Sequence, residues 1–453
     1  MAGIFKAYDV RGLVPSQLNE EMARKIGLAF QFVLDDEDRA LGNTVVVSRD
    51  MREHSPGLQQ ALIEGLTAAG FDVLDIGLAT TPMNYFAVGH TKAAGGVQVT
   101  ASHNPAQYNG LKFSKHGAMP VSGDHGIPLM EARVASGDLP HAPQAGSVRQ
   151  GEVFEAYSKH VLSFLHAPEE GKAKLKVVVD AANGMGTIYE PILRATGIDL
   201  IPLYFELDGS FPNHEANPLK EENLHDLMRA VREHGADLGV SFDGDADRAA
   251  FVDENGVAIG SDLMTALIGG ELLEREPGKA VLYDLRSSRA VAEYITEKGG
   301  VPVRERVGHS FMKATLREKD AVFGGELAGH YYFRDNYYAD CSLMAVIEIL
   351  NLRWLEGKPT SEIVRPLKRY AKSPETNFVV EDKEGKMREI EQRFKDAEID
   401  WLDGITVQYA DWWFNVRPSN TEPYLRLVME AKDDESLRRH MDELVPLLGE
   451  PAE

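Results

Sequence analysis

Short apolar runs alternate, along the first part of the chain, with segments in which apolar residues recur at helical spacing. This pattern predicts strands at Phe5–Gly12, Thr44–Val47, Val73–Ile76 and Gly96–Val99, and helices over about Glu20–Leu34, capped by Asn19, and Gly57–Ala69. Strands that alternate with helices in this way indicate an α/β sheet with helical crossovers.

The same arrangement returns twice further along the chain. The strand Val177–Asp180 begins a second unit, whose later strand Leu238–Phe242 opens into a polar loop. Val281–Asp284 begins a third unit, whose later strand Val322–Phe323 does the same. We therefore predict three related mixed α/β units, each directing one functional loop toward a shared centre.

The pattern changes after Ala371. Residues 372–376 have the composition of a linker, and they precede a charged helix near Lys386–Lys395, strands at Ile405–Tyr409, Trp412–Val416 and Leu425–Met429, and a last helix at Asp434–Leu448. This is typical of a small α+β domain joined by a short hinge. We predict four domains, at residues 1–150, 151–254, 255–371 and 372–453.

Composition narrows the class of protein. The chain has 453 residues, of which 43% are hydrophobic, and its formal net charge is -23. No basic block offsets this charge, which argues against nucleic acid or an anionic membrane as a partner. The single cysteine, Cys341, allows no intrachain disulfide, and no apolar run has the length of a signal core or a membrane span. We expect a cytoplasmic protein.

Ser102 is the first candidate for chemistry. It follows the strand Gly96–Val99 within the sequence TASHNP, so we expect it on a loop at the carboxyl edge of the sheet, where α/β folds bind ligands. With His103 beside it and Lys112 further on, its hydroxyl could act as a nucleophile or carry a phosphoryl group. An ordinary Ser-Asn-Pro turn is the alternative.

Asp243, Asp245 and Asp247 form the second candidate. Three carboxylates this close repel one another unless a cation neutralises them, and oxygen ligands suit Mg²⁺ or Ca²⁺. A helix-loop-helix calcium site would need glycine where Arg248 stands, and the flanks are strand-like. An acidic surface turn without metal is the other alternative. A phosphate on Ser102 would complete a Mg²⁺ site, because Mg²⁺ favours phosphate oxygens.

Three further loops carry polar groups. The segment Arg417–Pro423 combines an arginine fork with hydroxyls, an amide and turn N–H groups, which suits a phosphate. Gly308–Ser310 and Glu326–His330 add histidines and a carboxylate that could bind hydroxyls. Polar hairpin loops with a structural role are the alternative for each of them.

Five motifs together carry a resemblance to a known family: AYDVRG, TASHNP, DGDADR, GELAGH and RPSNTEP, in this order. They resemble the phosphomannomutase/phosphoglucomutase branch of the α-D-phosphohexomutases, from Tyr8 to the last helix. The resemblance implies three related α/β domains and a fourth, TATA-binding-protein-like α+β domain around a deep cleft. It also implies Mg²⁺-dependent interconversion of hexose 6-phosphate and hexose 1-phosphate through a hexose 1,6-bisphosphate.

The resemblance assigns a role to each candidate residue. Ser102 would carry the phosphoryl group and hold Mg²⁺ together with Asp243, Asp245 and Asp247. The residues expected to surround the transfer are Tyr8, Arg11, His103, Lys112, as a proton carrier, and Arg248. The residues expected to bind the sugar phosphate are Arg286, His309, Glu326, Ala328, His330, Arg417, Ser419, Asn420, Thr421 and Arg426, with the Arg417 loop on the distal phosphate.

The sequence departs from the family pattern at two positions. Ala328 stands where the sugar loop often has serine, which removes a hydroxyl, and Arg286 stands where some relatives have lysine, which changes the geometry of the charge. The SNT triplet and GELAGH disfavour a phosphoglucosamine mutase, which stays an alternative beside a sugar phosphatase and a silent sugar-phosphate binder. Mannose and glucose phosphates are both open as substrates, and we expect a monomer or a weak homo-oligomer.

Overall fold

The computed structural model describes residues 3–6, 8–34, 36–121, 126–166, 174–419 and 424–452, whose strands form four sheets. Sheet I and its helices comprise β1 (Asp9–Leu13), α1 (Glu20–Ala29), α2 (Asp36–Ala40), β2 (Thr44–Arg49), α3 (Ser55–Ala68), β3 (Asp72–Leu78), α4 (Thr81–Thr91), β4 (Gly95–Val99), β5 (Tyr108–Lys115), β6 (Met119–Pro120), α5 (Ile127–Ser136) and β7 (Val148–Gln150). Sheet II and its helices comprise α6 (Phe154–Leu162), β8 (Lys176–Asp180), α7 (Glu190–Ala195), β9 (Asp199–Leu203), α8 (His225–His234), β10 (Leu238–Phe242), β11 (Ala249–Asp253) and β12 (Ala258–Ile259).

The remaining elements belong to two further sheets. Sheet III and its helices comprise α9 (Ser261–Arg275), β13 (Ala280–Asp284), α10 (Arg289–Glu297), β14 (Val301–Glu305), α11 (His309–Glu318), β15 (Phe323–Gly325), β16 (Tyr331–Phe333), β17 (Ala339–Asp340), α12 (Ser342–Glu356) and α13 (Thr360–Val364). Sheet IV and its helices comprise β18 (Ala371–Lys372), β19 (Thr376–Val379), α14 (Lys383–Arg393), β20 (Glu398–Asp400), β21 (Ile405–Gln408), β22 (Trp412–Pro418), β23 (Tyr424–Ala431) and α15 (Asp434–Leu448).

Sheets I, II and III share one topology. Their strand orders are β1-β5-β4-β2-β3, continued by β7, then β12-β11-β10-β8-β9 and β17-β16-β15-β13-β14. In each sheet the last three of these five strands pair in parallel and the first two pair antiparallel. The three predicted α/β units are confirmed, and each sends a loop from its central strand, β4, β10 or β15, to the same region.

The three loops touch one another where glycine allows it. A Cβ on Gly244 would lie 2.3 Å from the carbonyl oxygen of Ser102, so any larger residue there would push the second loop away from the first. Gly329 has a φ of +80°, and a Cβ there would lie 2.9 Å from the Ala249 carbonyl oxygen. The Ala249 N–H donates to the Gly329 carbonyl at 3.0 Å, which joins the second loop to the third.

The hydrophobic cores distinguish sheet IV from the others. One cluster of buried apolar side chains runs from sheet I through sheets II and III and includes the inner residues of α12. Sheet IV has a cluster of its own, built around Phe378, Phe414, Leu427 and Leu444. The first three units therefore share one hydrophobic core, whereas sheet IV is joined to them through residues 371–376 and polar contacts. None of the described helices combines the length and apolar character that crossing a lipid bilayer requires.

Most predicted elements are present, and four positions need correction. The helix predicted to reach Leu34 ends at Ala29, after which the chain forms a 3₁₀ turn, and its cap at Asn19 is confirmed. The strand predicted from Phe5 begins at Asp9. The predicted linker 372–376 contributes strand residues at both ends. Arg417, predicted on a loop, lies within β22, because this strand continues its pairing with β23.

Candidate active site

The serine loop, residues 100–107, follows β4 as predicted. Ser102 is buried and has a φ of +51°, and its N–H donates to the Thr100 hydroxyl at 2.9 Å. A non-glycine residue in this left-handed region is strained, so the surroundings must hold it in place. Its hydroxyl donates to Asp243 Oδ2 at 2.7 Å, and His103 Nδ1 lies 3.3 Å from it.

Arg52, which the sequence analysis did not single out, holds this loop from beneath. Its fully buried guanidinium lies 3.2 Å from the Asp50 carboxylate. It donates to four carbonyl oxygens of the serine loop and the start of β5, those of Ser102 (2.8 Å), Asn104 (2.6 Å), Pro105 (2.9 Å) and Tyr108 (3.1 Å). One charged group thus fixes the backbone of the loop that presents Ser102.

The metal loop, residues 243–248, brings three carboxylates together. Asp243, Asp245 and Asp247 are all buried, and each offers an oxygen within 4.8 Å of the others. Oδ1 of Asp245 and Oδ1 of Asp247 accept no hydrogen bond from the described residues. Buried carboxylate oxygens without donors call for a cation, and an all-oxygen set beside a hydroxyl fits a hard divalent ion.

Lys112 already supplies one positive charge to this cluster. Its ammonium donates to Asp245 Oδ2 at 2.7 Å and also to Asp247. Burial opposes the charge of Lys112, but these carboxylates outweigh it and raise its pKa. Burial and the neighbouring Asp247 and Asp245 raise the pKa of Asp243. Lys112 thus pairs with two of the three carboxylates, and Arg248 Nε lies 4.0 Å from Asp243 and from Asp247.

His103 lies within the serine loop, and Arg11 contacts the loop from β1. Burial lowers the pKa of His103, and the nearby Arg248 and Arg11 add to this, so its ring is neutral near pH 7. Arg11 donates to Asp9 Oδ2 at 2.7 Å and to Asn104 Oδ1 at 2.6 Å. Two of the predicted catalytic residues thus line the same loop as the hydroxyl.

The sugar loop, residues 326–330, joins the metal loop through a histidine. Arg248 Nε donates to His330 Nε2 at 2.9 Å. Since arginine only donates, Nε2 accepts, and Nδ1 carries the proton that it shares with Asp340 Oδ2 at 3.0 Å. Glu326 Oε2 accepts the Gly308 N–H at 3.1 Å, and Ala328 lies partly exposed on this loop.

An aromatic contact joins the segment before β1 to the start of α11. The rings of Tyr8 and His309 meet edge to face with centroids 5.2 Å apart, and the ring of His309 lies 6.5 Å from that of His330. Burial and the nearby Lys313 lower the pKa of His309. Sheets I and III therefore meet at the predicted sugar site.

The fourth group of predicted residues gathers at the hinge. Arg286 follows β13, and Arg417 lies directly opposite Arg426 on β22 and β23. All three arginines point at one carboxylate, that of Glu375, which lies between β18 and β19. Ser419 is buried beside them, and Asn420 and Thr421 lie outside the described residues.

Two carboxylates that support these sites were noted only as strand ends or linker residues. Asp284 Oδ2 accepts the Leu327 N–H at 2.7 Å and so holds the sugar loop, and Glu375 binds the arginines. Asp50, Asp180 and Asp284 each follow or end the middle one of the three parallel strands of their sheet, β2, β8 or β13, and each accepts the backbone N–H two residues on at 2.8–3.0 Å. The recurring strand-end Asp in the sequence was the available signal.

Comparison with known proteins agrees with this geometry. Four domain families described as phosphoglucomutase/phosphomannomutase match residues 2–139 (α/β/α domain I), 155–256 (domain II), 260–370 (domain III) and 375–447 (C-terminal domain). A phosphomannomutase of Salmonella montevideo is 38% identical over 95% of both chains, and that of Escherichia coli K12 is 37% identical over the same share.

Solved structures show the same likeness. A phosphoglucomutase/phosphomannomutase family protein from Burkholderia thailandensis superimposes with a TM-score of 0.90 at 35% identity, covering 98% of this chain and 96% of that one. The phosphoglucomutase parafusin of Paramecium, at 15% identity, gives a TM-score of 0.81 over 99% of this chain and 96% of its own, a likeness of fold.

Proposed function

The chain belongs to the phosphoglucomutase/phosphomannomutase family, and we propose that it interconverts hexose 6-phosphate and hexose 1-phosphate, of mannose, glucose or both. The observation that carries this proposal is the hydrogen bond from Ser102 Oγ to Asp243 Oδ2, at the point where three buried carboxylates meet. A hydroxyl held at a cation site can receive and return a phosphoryl group.

In the proposed reaction the bond between phosphorus and Ser102 Oγ breaks as a bond forms to the free sugar hydroxyl. The hydroxyl loses its proton and Oγ gains one, and we assign both transfers to Lys112, whose ammonium group contacts the carboxylates around Ser102: it gives a proton to Oγ as the bond to phosphorus breaks and takes one from the hydroxyl. The resulting hexose 1,6-bisphosphate turns over, and the reverse transfer returns the other phosphate to Ser102. Charges and atoms balance over the two half-reactions.

We propose that Mg²⁺ is the cation held by Asp243, Asp245, Asp247 and the phosphate on Ser102, because the donors are all oxygen and two buried oxygens lack partners among the described residues. Bound there, it would neutralise charge that develops on the phosphoryl oxygens. Arg248 and Arg11, which both lie near His103, would orient those oxygens, and neutral His103 would donate a hydrogen bond to one of them.

We assign recognition of the sugar to Glu326, His330 and His309. Tyr8 packs against the ring of His309, and Ala328 has no hydroxyl to offer the sugar. We assign the distal phosphate to Arg286, Arg417 and Arg426, together with Ser419, Asn420 and Thr421. The bisphosphate must expose each phosphate to Ser102 in turn, so we propose that the domain beyond Ala371 opens and closes on its hinge. Its separate core supports this motion.

We also propose domain limits at 1–150, 151–254, 255–371 and 372–453, a cytoplasmic location and a monomeric or weakly oligomeric state. The lone Cys341 supports the location.

A coupled assay with mannose, glucose and glucosamine 1-phosphates tests the function. We expect turnover of mannose or glucose phosphate, a phosphoryl group on Ser102 in the intact mass, and loss of both in Ser102→Ala. A phosphatase would instead release inorganic phosphate, a silent binder would carry no phosphate, and preference for glucosamine phosphate would identify a phosphoglucosamine mutase.

A further inference from the structure

Glu375 occupies an unusual position between two domains. It lies in the short segment that joins β18 to β19, and its carboxylate contacts arginines from sheet III and from sheet IV. Oε2 accepts from Arg417 Nη2 at 3.0 Å and lies 3.5 Å from Arg286 Nη1, and Oε1 accepts from Arg426 Nη1 at 3.3 Å. One linker carboxylate is thus shared by three guanidinium groups.

The pairing of β22 with β23 explains why a carboxylate is needed here. Arg417 and Arg426 stand directly opposite each other in the antiparallel register, and like charges in this arrangement repel. The side chain of Arg417 is only 4% exposed, so solvent screens this repulsion poorly. Glu375 places one oxygen on each arginine and so offsets the repulsion across the strand pair.

Arg286 connects the same carboxylate to sheet III. Its Nε and Nη2 are engaged by Asp284, at 3.3 and 2.6 Å, which leaves Nη1 directed at Glu375. Asp284 in turn holds the sugar loop through the Leu327 N–H. The chain of contacts therefore runs from the sugar loop through Asp284, Arg286 and Glu375 to the arginines of sheet IV.

One of these arginines offers a hydrogen-bond donor to an anion. Nε of Arg417 is buried and has no hydrogen-bond partner among the residues that the structure describes. A buried guanidinium N–H without an acceptor is completed by a ligand that brings oxygen.

We propose that Glu375 is a positioning residue of the distal-phosphate pocket, which aligns Arg417, Arg426 and Arg286 for one phosphate and transmits closure of the last domain to the sugar loop. This inference rests on the proposed function, because the ligand it concerns is the distal phosphate of the sugar. Glu375 itself touches no reacting atom, and its effect is expressed through the arginines. It acts as a fixed counter-ion and is not displaced when phosphate binds.

The test is Glu375→Gln, which keeps the shape of the side chain and removes its charge. Glu293→Gln is the matched control, because Glu293 binds Arg369 and Tyr370 at the same junction without touching the pocket. We expect Glu375→Gln to raise the KM for the 1-phosphate and the 6-phosphate alike by about ten-fold, with kcat within about two-fold, since the arginines lose alignment and the reaction centre does not. Glu375→Asp should restore part of the loss.

Binding measured by calorimetry separates this inference from the proposed function. Glucose 1-phosphate, glucose 6-phosphate and inorganic phosphate are titrated into wild type and both variants. Wild type that binds none of the three contradicts the proposed function. Wild type that binds, with Glu375→Gln binding equally well or more tightly, overturns the inference, because tighter binding would show that Glu375 competes with phosphate.

A double variant guards against a merely structural effect. If Glu375 offsets the repulsion between Arg417 and Arg426, Arg426→Gln should cost less affinity in the Glu375→Gln background than in wild type, because it then also relieves that repulsion. Additive losses of affinity in the double variant would overturn the proposal. The proposal would also be wrong if Glu375→Gln and Glu293→Gln both lowered Tm while Glu375→Gln left the affinity for phosphate unchanged. Soluble, folded protein with weakened, non-additive phosphate binding supports it.

Discussion

The reaction centre and the hinge pocket both concentrate charge, yet they are built in different ways. Around Ser102, loops from the three related sheets interlock through backbone contacts, the fit at Gly244 and the guanidinium of Arg52, and one apolar core runs beneath them. Around Glu375, side-chain ion pairs bridge sheets III and IV, whose cores are separate. The proposed chemistry thus lies where the fold is preassembled, and the proposed phosphate binding lies where two separate cores meet.

Asp245→Asn should break the reaction centre most severely. It removes one charge from the cation site and a strong acceptor from Lys112, so we expect kcat to fall by about 10²–10³ while the pocket at the hinge still binds sugar phosphate. Folding should survive, since carboxylate repulsion is relieved. Steady-state kinetics with and without chelator check this, with Asp199→Asn, exposed on sheet II, as the control. Activity indifferent to both chelator and substitution would refute the metal assignment.

Arg52→Lys should show how much the preassembled loop contributes. Lysine keeps the charge near Asp50 but cannot reach four carbonyl oxygens, so the Ser102 loop should relax, with kcat lower by about 10- to 100-fold and KM nearly unchanged. The rate at which a hexose bisphosphate phosphorylates Ser102 should fall in parallel. Arg49→Lys is the control, because Arg49 is the last residue of β2 and directly precedes Asp50. A change confined to KM would contradict this role.

Arg417→Ala tests the hinge pocket by removing one of the arginines that Glu375 contacts. Because we expect the pocket to hold whichever phosphate is distal, affinity for the 1-phosphate and the 6-phosphate should fall by a similar factor of about 10, while Ser102 stays phosphorylated. Small-angle scattering should show wild type contracting with substrate and the variant contracting less. Arg393→Ala, which removes an exposed arginine from the same domain, should behave as wild type. Loss of affinity for only one isomer would point to two binding modes.

Ala328→Ser should have the smallest effect. It tests whether the sugar is recognised by the loop of residues 326–330, on the preassembled side of the molecule. One neutral hydrogen bond contributes about 0.5–1.5 kcal/mol, so the ratio of kcat/KM for mannose and glucose phosphates should change by a factor of roughly 2 to 13. A glycine substitution at the same site controls for backbone effects. Identical ratios in the serine variant and the wild type would show that residue 328 does not contact the sugar.

The two regions also differ in how far the sequence predicts them. The strand Leu238–Phe242 and the helix Asp434–Leu448 have the predicted bounds, because each is an apolar pattern with a sharp polar start, and Asp433 caps the helix as expected for such a boundary. Polar residues after such strands also indicated which loops come together at the candidate reaction centre, since the carboxyl ends of parallel strands share an edge.

The part that Glu375 takes in the hinge pocket escaped prediction, although the arginines around it were predicted, because these groups meet only in three dimensions. Glu375 lies 89 residues from Arg286 in the chain, and nothing in the linker composition distinguishes it from a solvated glutamate. Arg417 was expected on a loop because the preceding strand was predicted to end at Val416, but pairing with β23 keeps it in the strand. Arg52 was missed for a related reason, since the carbonyl oxygens that it binds carry no sequence signal.

The strand-end aspartates carry a lesson for engineering. Asp50, Asp180 and Asp284 form one turn three times, but each is paired with a different basic side chain, Arg52, His214 or Arg286. The turn is therefore interchangeable, whereas the partner decides whether the unit braces a loop, as Arg52 does, or reaches a neighbouring domain, as Arg286 does. A loop that is moved from one unit to another must therefore bring the basic partner of its strand-end aspartate with it. A chimera that exchanges the loops without these partners should fold, but its loops should be misaligned.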